Sequence, residues 1–209
     1  MIRHHPSDAT LIAHAAGTLP VLHGQVVAAH LTQCTACRAV IRLGVELGSA
    51  LLETVTPLPV VDDGLARVLA RLDTLEPETE SVPAPAGKAV TLKALSQGGR
   101  WRWVGPGIKL MPLVPRDATG TRLDLVRVSP GTALPRHDHR GPEMTCVLKG
   151  AFADKLGEYH VGDLEEGDVG LDHEPRALEG EECVCIIATT GYLRAHGLFT
   201  RVLQPIFGI

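Results

Sequence analysis

Aromatic side chains are scarce in this chain of 209 residues: two Trp, two Tyr and three Phe. Any core must be filled mainly by aliphatic groups, which leaves a short helical segment little large apolar surface to bury. Long apolar runs are missing too. None approaches the ~18–20 residues that span a bilayer, so no membrane association is expected. There is no block of Lys or Arg, and the formal net charge is −4. That balance excludes binding driven by phosphate neutralisation, and no direct DNA contact is expected. Residues 1–6, M-I-R-H-H-P, are not followed by an apolar h-region, so the expectation is a cytoplasmic protein without a secretory signal. Disorder is excluded by a 44% hydrophobic share. What is plentiful is ligand chemistry. Ten histidines outnumber the aromatics, and five cysteines accompany them. An odd cysteine count with one C-x-x-C, in a cytoplasmic chain, points to metal or redox chemistry before a disulfide scaffold.

The chain changes character near residue 80. Ser7 or Asp8 can cap a helix that Gly17 stops. A second helix is expected from about Pro20 to Leu31, and a third from Cys34 through Val40, Leu43, Leu47 and Leu51. A fourth, begun by Asp62 or Asp63, carries Leu65, Val68, Leu69 and Leu72 at i, i+3, i+4, i+7. Residues 74–88 contain Pro77, Pro83 and Pro85 without periodicity and read as a linker. Beyond it come short apolar runs separated by Gly and Pro, at 122–128, 145–148, 158–161 and 183–188, which predict an all-β barrel or sandwich. The expected division is a helical domain at 1–75, a proline-rich linker at 76–89 and a β-barrel at 90–209. Residues 1–80 hold five arginines against nine acidic residues, so the net acidity belongs to the first part. A solvated face and attraction to a basic partner are both compatible with that.

His30, Cys34 and Cys37 are spaced four and three apart, which places them on one side of a helix or tight turn. Thiolates with imidazole suit tetrahedral zinc, which wants four N/S ligands. From spacing, the fourth could be His4, His5, His14 or His23. A structural zinc site contributes on the order of 10–16 kcal/mol in small domains, at or above the whole stability of most of them. That is the physical reason for a small, aromatic-poor helical segment to hold one.

The second constellation reads Gly131-x5-His137-x-His139-x3-Glu143-x6-Gly150, followed by Gly162-x5-Asp168-x-Gly170-x2-His173. His137 and His139 share a strand face, and Glu143 can return to the same point along a bent strand. The pair resembles the two cupin motifs. Cupins are small β-barrels holding one metal, and the resemblance makes His137, His139, Glu143 and His173 the ligand set. Asp168 departs from the usual proline and Ala177 from a frequent asparagine, neither of them a ligand. Three histidines and a carboxylate accept Zn, Mn, Fe or Ni. A divalent cation is expected there, zinc foremost.

Together, a short helical segment with His-x3-Cys-x2-Cys and a C-terminal cupin resemble the ChrR family of zinc-binding anti-sigma factors. The resemblance runs over essentially the whole chain. Its points include Arg3-His4-His5-Pro6, Ala15-Ala16-Gly17-Thr18-Leu19, Ala29-His30-Leu31, Leu134-Pro135, His137-Asp138-His139 and Gly150-Ala151-Phe152-Ala153-Asp154. It implies a zinc site of His5, His30, Cys34 and Cys37. It also implies a non-enzymatic regulator that holds a group IV (extracytoplasmic-function type) sigma factor and releases it under oxidative stress such as singlet oxygen, sensed by the cupin. Leu65, Val68, Leu69 and Leu72 are then candidates for gripping the sigma factor, or for ordinary packing on their own domain. Cys183 and Cys185 face one side of a strand, as oxidation targets or as small buried hydrophobes. Two other functions compete: a dioxygenase-like cupin metalloenzyme with an accessory zinc domain, and a metal-binding regulator of some other partner.

Overall fold

The computed structural model describes residues 2–74, 95 and 97–195. The linker expected at 76–89, and the end of the chain with His196, lie outside the described residues. Four helices come first: α1 (Asp8–Ala15), α2 (Val21–Leu31), α3 (Thr35–Glu53) and α4 (Gly64–Thr74). Of the two candidate caps for α1, Ser7 takes the position. Its Oγ accepts from Thr10 N at 3.3 Å, and Asp8 sits in the first turn, where the helix dipole favours an anion. Gly17, at φ +69°, stops the segment as expected. Cys34 caps α3, its Sγ accepting from Cys37 N at 3.4 Å, so a candidate metal thiol also satisfies a helix-end N–H.

Eleven strands follow among the described residues. They are β1 (Arg102–Gly105), β2 (Ile108–Val114), β3 (Thr121–Val128), β4 (His137–His139), β5 (Glu143–Lys149), β6 (Ala151–Ala153), β7 (Glu158–His160), β8 (Leu164–Gly167), β9 (Arg176–Ala177), β10 (Cys183–Thr190) and β11 (Leu193–Ala195). A six-stranded antiparallel sheet runs β1-β2-β3-β10-β5-β8, beside a three-stranded sheet β7-β6-β9 and the pair β11-β4. The fold class is therefore the expected one, helices followed by a β-barrel. The four predicted runs fall in β3, β5, β7 and β10. The hairpin β1-β2 was not legible because Pro106, Gly107 and Pro112 interrupt its pattern; β2 shifts register between Pro112 and Val114, which is how a strand tolerates proline.

Strand alternation builds two cores from one sheet. Leu123, Leu125, Cys146, Ile186 and Ala188 join Leu22, Val26 and Val27 of α2 in one apolar cluster. The intervening Val126, Val128, Val147, Cys183 and Cys185 form a second with Phe152 and Tyr159. The register carries both sets across the sheet, Ile186 opposite Leu125 and Cys146, Cys185 opposite Val126 and Val147. Both faces of the central strands are buried, hence their nearly continuous apolar sequence. Helix α2 lies on β5 and β10, and α1 packs on α3, where a Cβ on Gly44 would stand 3.1 Å from Ala15 Cβ. Past Ile41, α3 leaves this core: Leu43, Leu47, Leu51 and Leu52 are exposed.

Candidate metal centres

His30 lies near the end of α2, Cys34 and Cys37 at the start of α3, and His5 on the segment before α1. These four bring His Nδ1 or Nε2 and Sγ atoms within 4.8 Å of one another. His30 Nε2 is 3.2 Å from Cys37 Sγ, and His5 Nδ1 is 3.3 Å from both sulfurs. The three other histidines open from spacing lie elsewhere. His4 packs on Tyr159 with ring centroids 4.3 Å apart, His14 is beside Gly24, and His23 faces the Pro142 carbonyl. The outer nitrogen of His30, Nδ1, donates to Gly162 O at 2.7 Å, which leaves the Nε2 lone pair aimed into the cluster. Burial holds His30 below its ordinary pKa, as a neutral ligand requires. Burial, reinforced by Cys34, pushes the Cys37 thiol up to about 12, so a cation binding there must displace its proton. The donor set, buried on three of its four members, fits zinc.

The second group gathers His137 and His139 from β4, Glu143 from the start of β5, and His173, which bridges back to His137. All four are buried, again with ligand atoms within 4.8 Å. Outer contacts orient the rings. His137 Nδ1 donates to Pro135 O at 2.7 Å, and His173 Nδ1 meets Asp154 Oδ2 at 2.8 Å. His139 Nε2 and His173 Nε2 then face each other at 3.0 Å, within hydrogen-bond distance. Glu143 Oε2 accepts from Thr189 Oγ1 at 2.8 Å. Burial lowers His137 and His139. Burial also acts to lower His173, but Glu165 and Asp154 outweigh it and hold this ring above its ordinary value. Asp154 and Glu165, with His173, make a third close group that spacing could not announce, since the two carboxylates come from separate strand ends.

His137, Glu143 and His173 also line a cavity of about 540 Å³, whose wall is otherwise largely apolar: Trp103, Ile108, Val126, Leu134 and Phe152 among others. Cys183 and Cys185 line it as well, their sulfurs 3.6 Å apart and buried. All five cysteines are free thiols. His160, without an assigned role from sequence, pairs with Glu158 at 2.7 Å. The α4 residues Leu65, Val68, Leu69 and Leu72 enter neither cluster; they are 72, 56, 51 and 58% exposed. Leu47 and Leu51 of α3 are exposed too, as are Leu52, Val55, Leu58 and Val60, which the sequence did not single out.

The ChrR cupin-like domain family matches residues 94–193. A curated relative, anti-sigma-E factor ChrR of Cereibacter sphaeroides, is 39% identical over 215 residues, covering 100% of this chain and 99% of its own. Among solved structures, the complex of Rhodobacter sphaeroides SigE with the anti-sigma ChrR matches with a TM-score of 0.74 and 38% identity, over 90% of this chain and 99% of that one. An RmlC-like cupin from Ralstonia eutropha JMP134 is 20% identical with a TM-score of 0.43, over 46% of this chain and 65% of its own. With a helical segment that assembles a His2Cys2 group, a barrel that assembles His3Glu, and a relative alike from end to end, the chain belongs to the ChrR family of anti-sigma factors.

Proposed function

We propose that this chain is a cytoplasmic anti-sigma factor that binds a group IV sigma factor and withholds it from RNA polymerase. One observation carries the reading furthest: the second half of α3, residues 54–63 and α4 leave a run of aliphatic side chains uncovered by the described residues. Exposed aliphatic side chains in such number mark a binding face. The full-length relative named as an anti-sigma factor, and the solved complex of such a protein with its sigma factor, make a sigma factor the matching occupant. The function divides at 1–75 and 90–209. In the first part His5, His30, Cys34 and Cys37 hold zinc, which fixes α2 against the start of α3 and so sets the direction of the gripping helix. In the barrel, His137, His139, Glu143 and His173 hold a divalent cation, zinc foremost, and this part senses oxidative stress such as singlet oxygen, with Cys183 and Cys185 as candidate thiols.

The test is co-expression with the cognate sigma factor. A stable complex containing two zinc ions per anti-sigma chain is expected, lost in Cys34→Ser and in Cys37→Ser. A complex retained in both variants refutes the zinc-scaffold argument. A second reading, a dioxygenase-like metalloenzyme, is favoured by the apolar cavity that reaches His137, Glu143 and His173. It requires oxygen uptake with Fe(II) and a small substrate, abolished by His137→Ala.

A further inference from the structure

We propose that the four consecutive residues Gly162–Glu165 tie the two metal clusters together, and that Asp163 is a positioning residue for the N-terminal one. The inference rests on the metal-site reading above. Asp163 is a carboxylate with 0% exposure, and backbone N–H groups donate to it. Oδ1 accepts from Arg3 N at 2.7 Å and His4 N at 3.0 Å, and Oδ2 accepts from His160 N at 2.8 Å. Such a carboxylate is expensive to bury and persists only because its lone pairs are filled. Two of its three donors belong to the segment that leads directly into His5. Leu164 N fastens the same segment, donating to His4 O at 3.1 Å, and Ser7 N donates to Glu166 Oε1 at 3.2 Å. Residues 3–7 therefore run along β8, the last strand of the six-stranded sheet, and cover its free edge.

The other side of the N-terminal cluster is held from the same place. Gly162 O accepts from His30 Nδ1 at 2.7 Å and selects the tautomer that points Nε2 at the cluster. Glycine is required there: φ is +91°, and a Cβ would come within 2.9 Å of Ile2 Cδ1. Three residues along, Glu165 Oε1 stands 3.7 Å from Nδ1 of His173. One end of this tetrapeptide thus touches both histidines of the N-terminal group, directly or through their chain, and the other end touches a ligand of the barrel group. A change in the barrel site that moves β8 moves the supports of His5 and His30, and the zinc scaffold loosens. This gives the barrel a physical route to the gripping helices that does not pass through the linker.

The test uses the full-length, zinc-loaded chain and follows transfer of zinc to a chromophoric chelator, pyridylazoresorcinol. Cys34→Ser identifies the N-terminal phase and His137→Ala the barrel phase. Asp163→Ala should speed the N-terminal phase by about 10- to 100-fold, the usual cost of removing an outer-shell partner. Asp163→Asn, which keeps an acceptor for Arg3 N and His4 N, should speed it less. In cobalt-substituted protein the same variants should alter the thiolate-to-metal absorption bands. His137→Ala should also speed the N-terminal phase, and should add nothing in an Asp163→Ala background. If Asp163→Ala does not fold, Asp163→Asn decides alone. An unchanged N-terminal rate and spectrum in a fully loaded Asp163→Asn chain overturns the coupling, whereas absence of metal from the unmodified chain overturns the metal-site reading beneath it.

Discussion

At the scale of residues, three of the candidate histidine ligands, His30, His137 and His173, have a partner that holds the outer nitrogen. Asp154 orients His173 at 2.8 Å, so Asp154→Ala should weaken the barrel's metal affinity by about 10- to 100-fold, read by competitive chelation. Glu165 offers a second, pH-linked measurement. Burial pushes it up to about 7 against an ordinary 4.5. The folded state then binds this proton more tightly than the unfolded one. The resulting stability is complete below pH 4.5 and is lost as pH rises through about 7. His173, held above its ordinary value, adds a loss of the same sign. Metal-free protein should therefore show a melting temperature that falls between pH 5 and 7 more steeply than that of Glu165→Gln; parallel curves would refute the assignment. Much of this was legible beforehand. The spacing of His30, Cys34 and Cys37 needs only helix geometry, and the pair His137 and His139 needs only a strand. The choice of His5 over His4, His14 and His23 was not readable from spacing, because it depends on how residues 3–7 lie along β8, a contact across some 160 positions. Asp154 and Glu165 were hidden for the same reason.

At the scale of elements, the helices divide by the neighbours of their apolar faces. In α2 almost every apolar residue is covered, and Leu125, on the strand face opposite, is fully buried. Leu125→Ala should cost roughly 2–5 kcal/mol in denaturant unfolding, as cavity-forming changes do. On α4 the same residue type has a different role. Leu65→Glu and Leu69→Glu sit on an exposed face, so the isolated chain should unfold within about 0.5 kcal/mol of the parent. Affinity for the sigma factor, measured by calorimetry, should fall at least about tenfold, a loss of some 1.4 kcal/mol. Equal affinity would assign that stripe another purpose. The heptad-like spacing announced the stripe, but not which of its two possible neighbours would cover it: periodicity reports a face and is silent on what meets it.

At the scale of the whole molecule, the first apolar cluster belongs to helices and sheet together, with Leu22, Val26 and Val27 against Met111, Cys146 and Ile186. A fragment of residues 1–75 loses that cover. It should melt at a lower temperature than the helical part of the intact chain and release zinc faster, unless bound sigma factor covers the bared face of α2; calorimetry and chelator kinetics on the two proteins check this. The order of helices before strands was legible in the sequence, since the change from helical to alternating periodicity is a local signal. The close seat of α2 on β5 and β10 is a long-range match of two apolar surfaces and leaves no such signal. The shortage of aromatics has one further result. The chain's two tryptophans stand in different surroundings: Trp101 packs against the apolar cluster shared with the helices, beneath the Arg127 guanidinium at 4.3 Å, and Trp103 lies on the cavity wall. The tryptophan emission of this protein is thus a signal in two parts, one from the core shared with the helices and one from the cavity. An emission change that accompanies loss of the N-terminal zinc would be Trp101 reporting a loosening of the core it shares with Cys34 and Cys37.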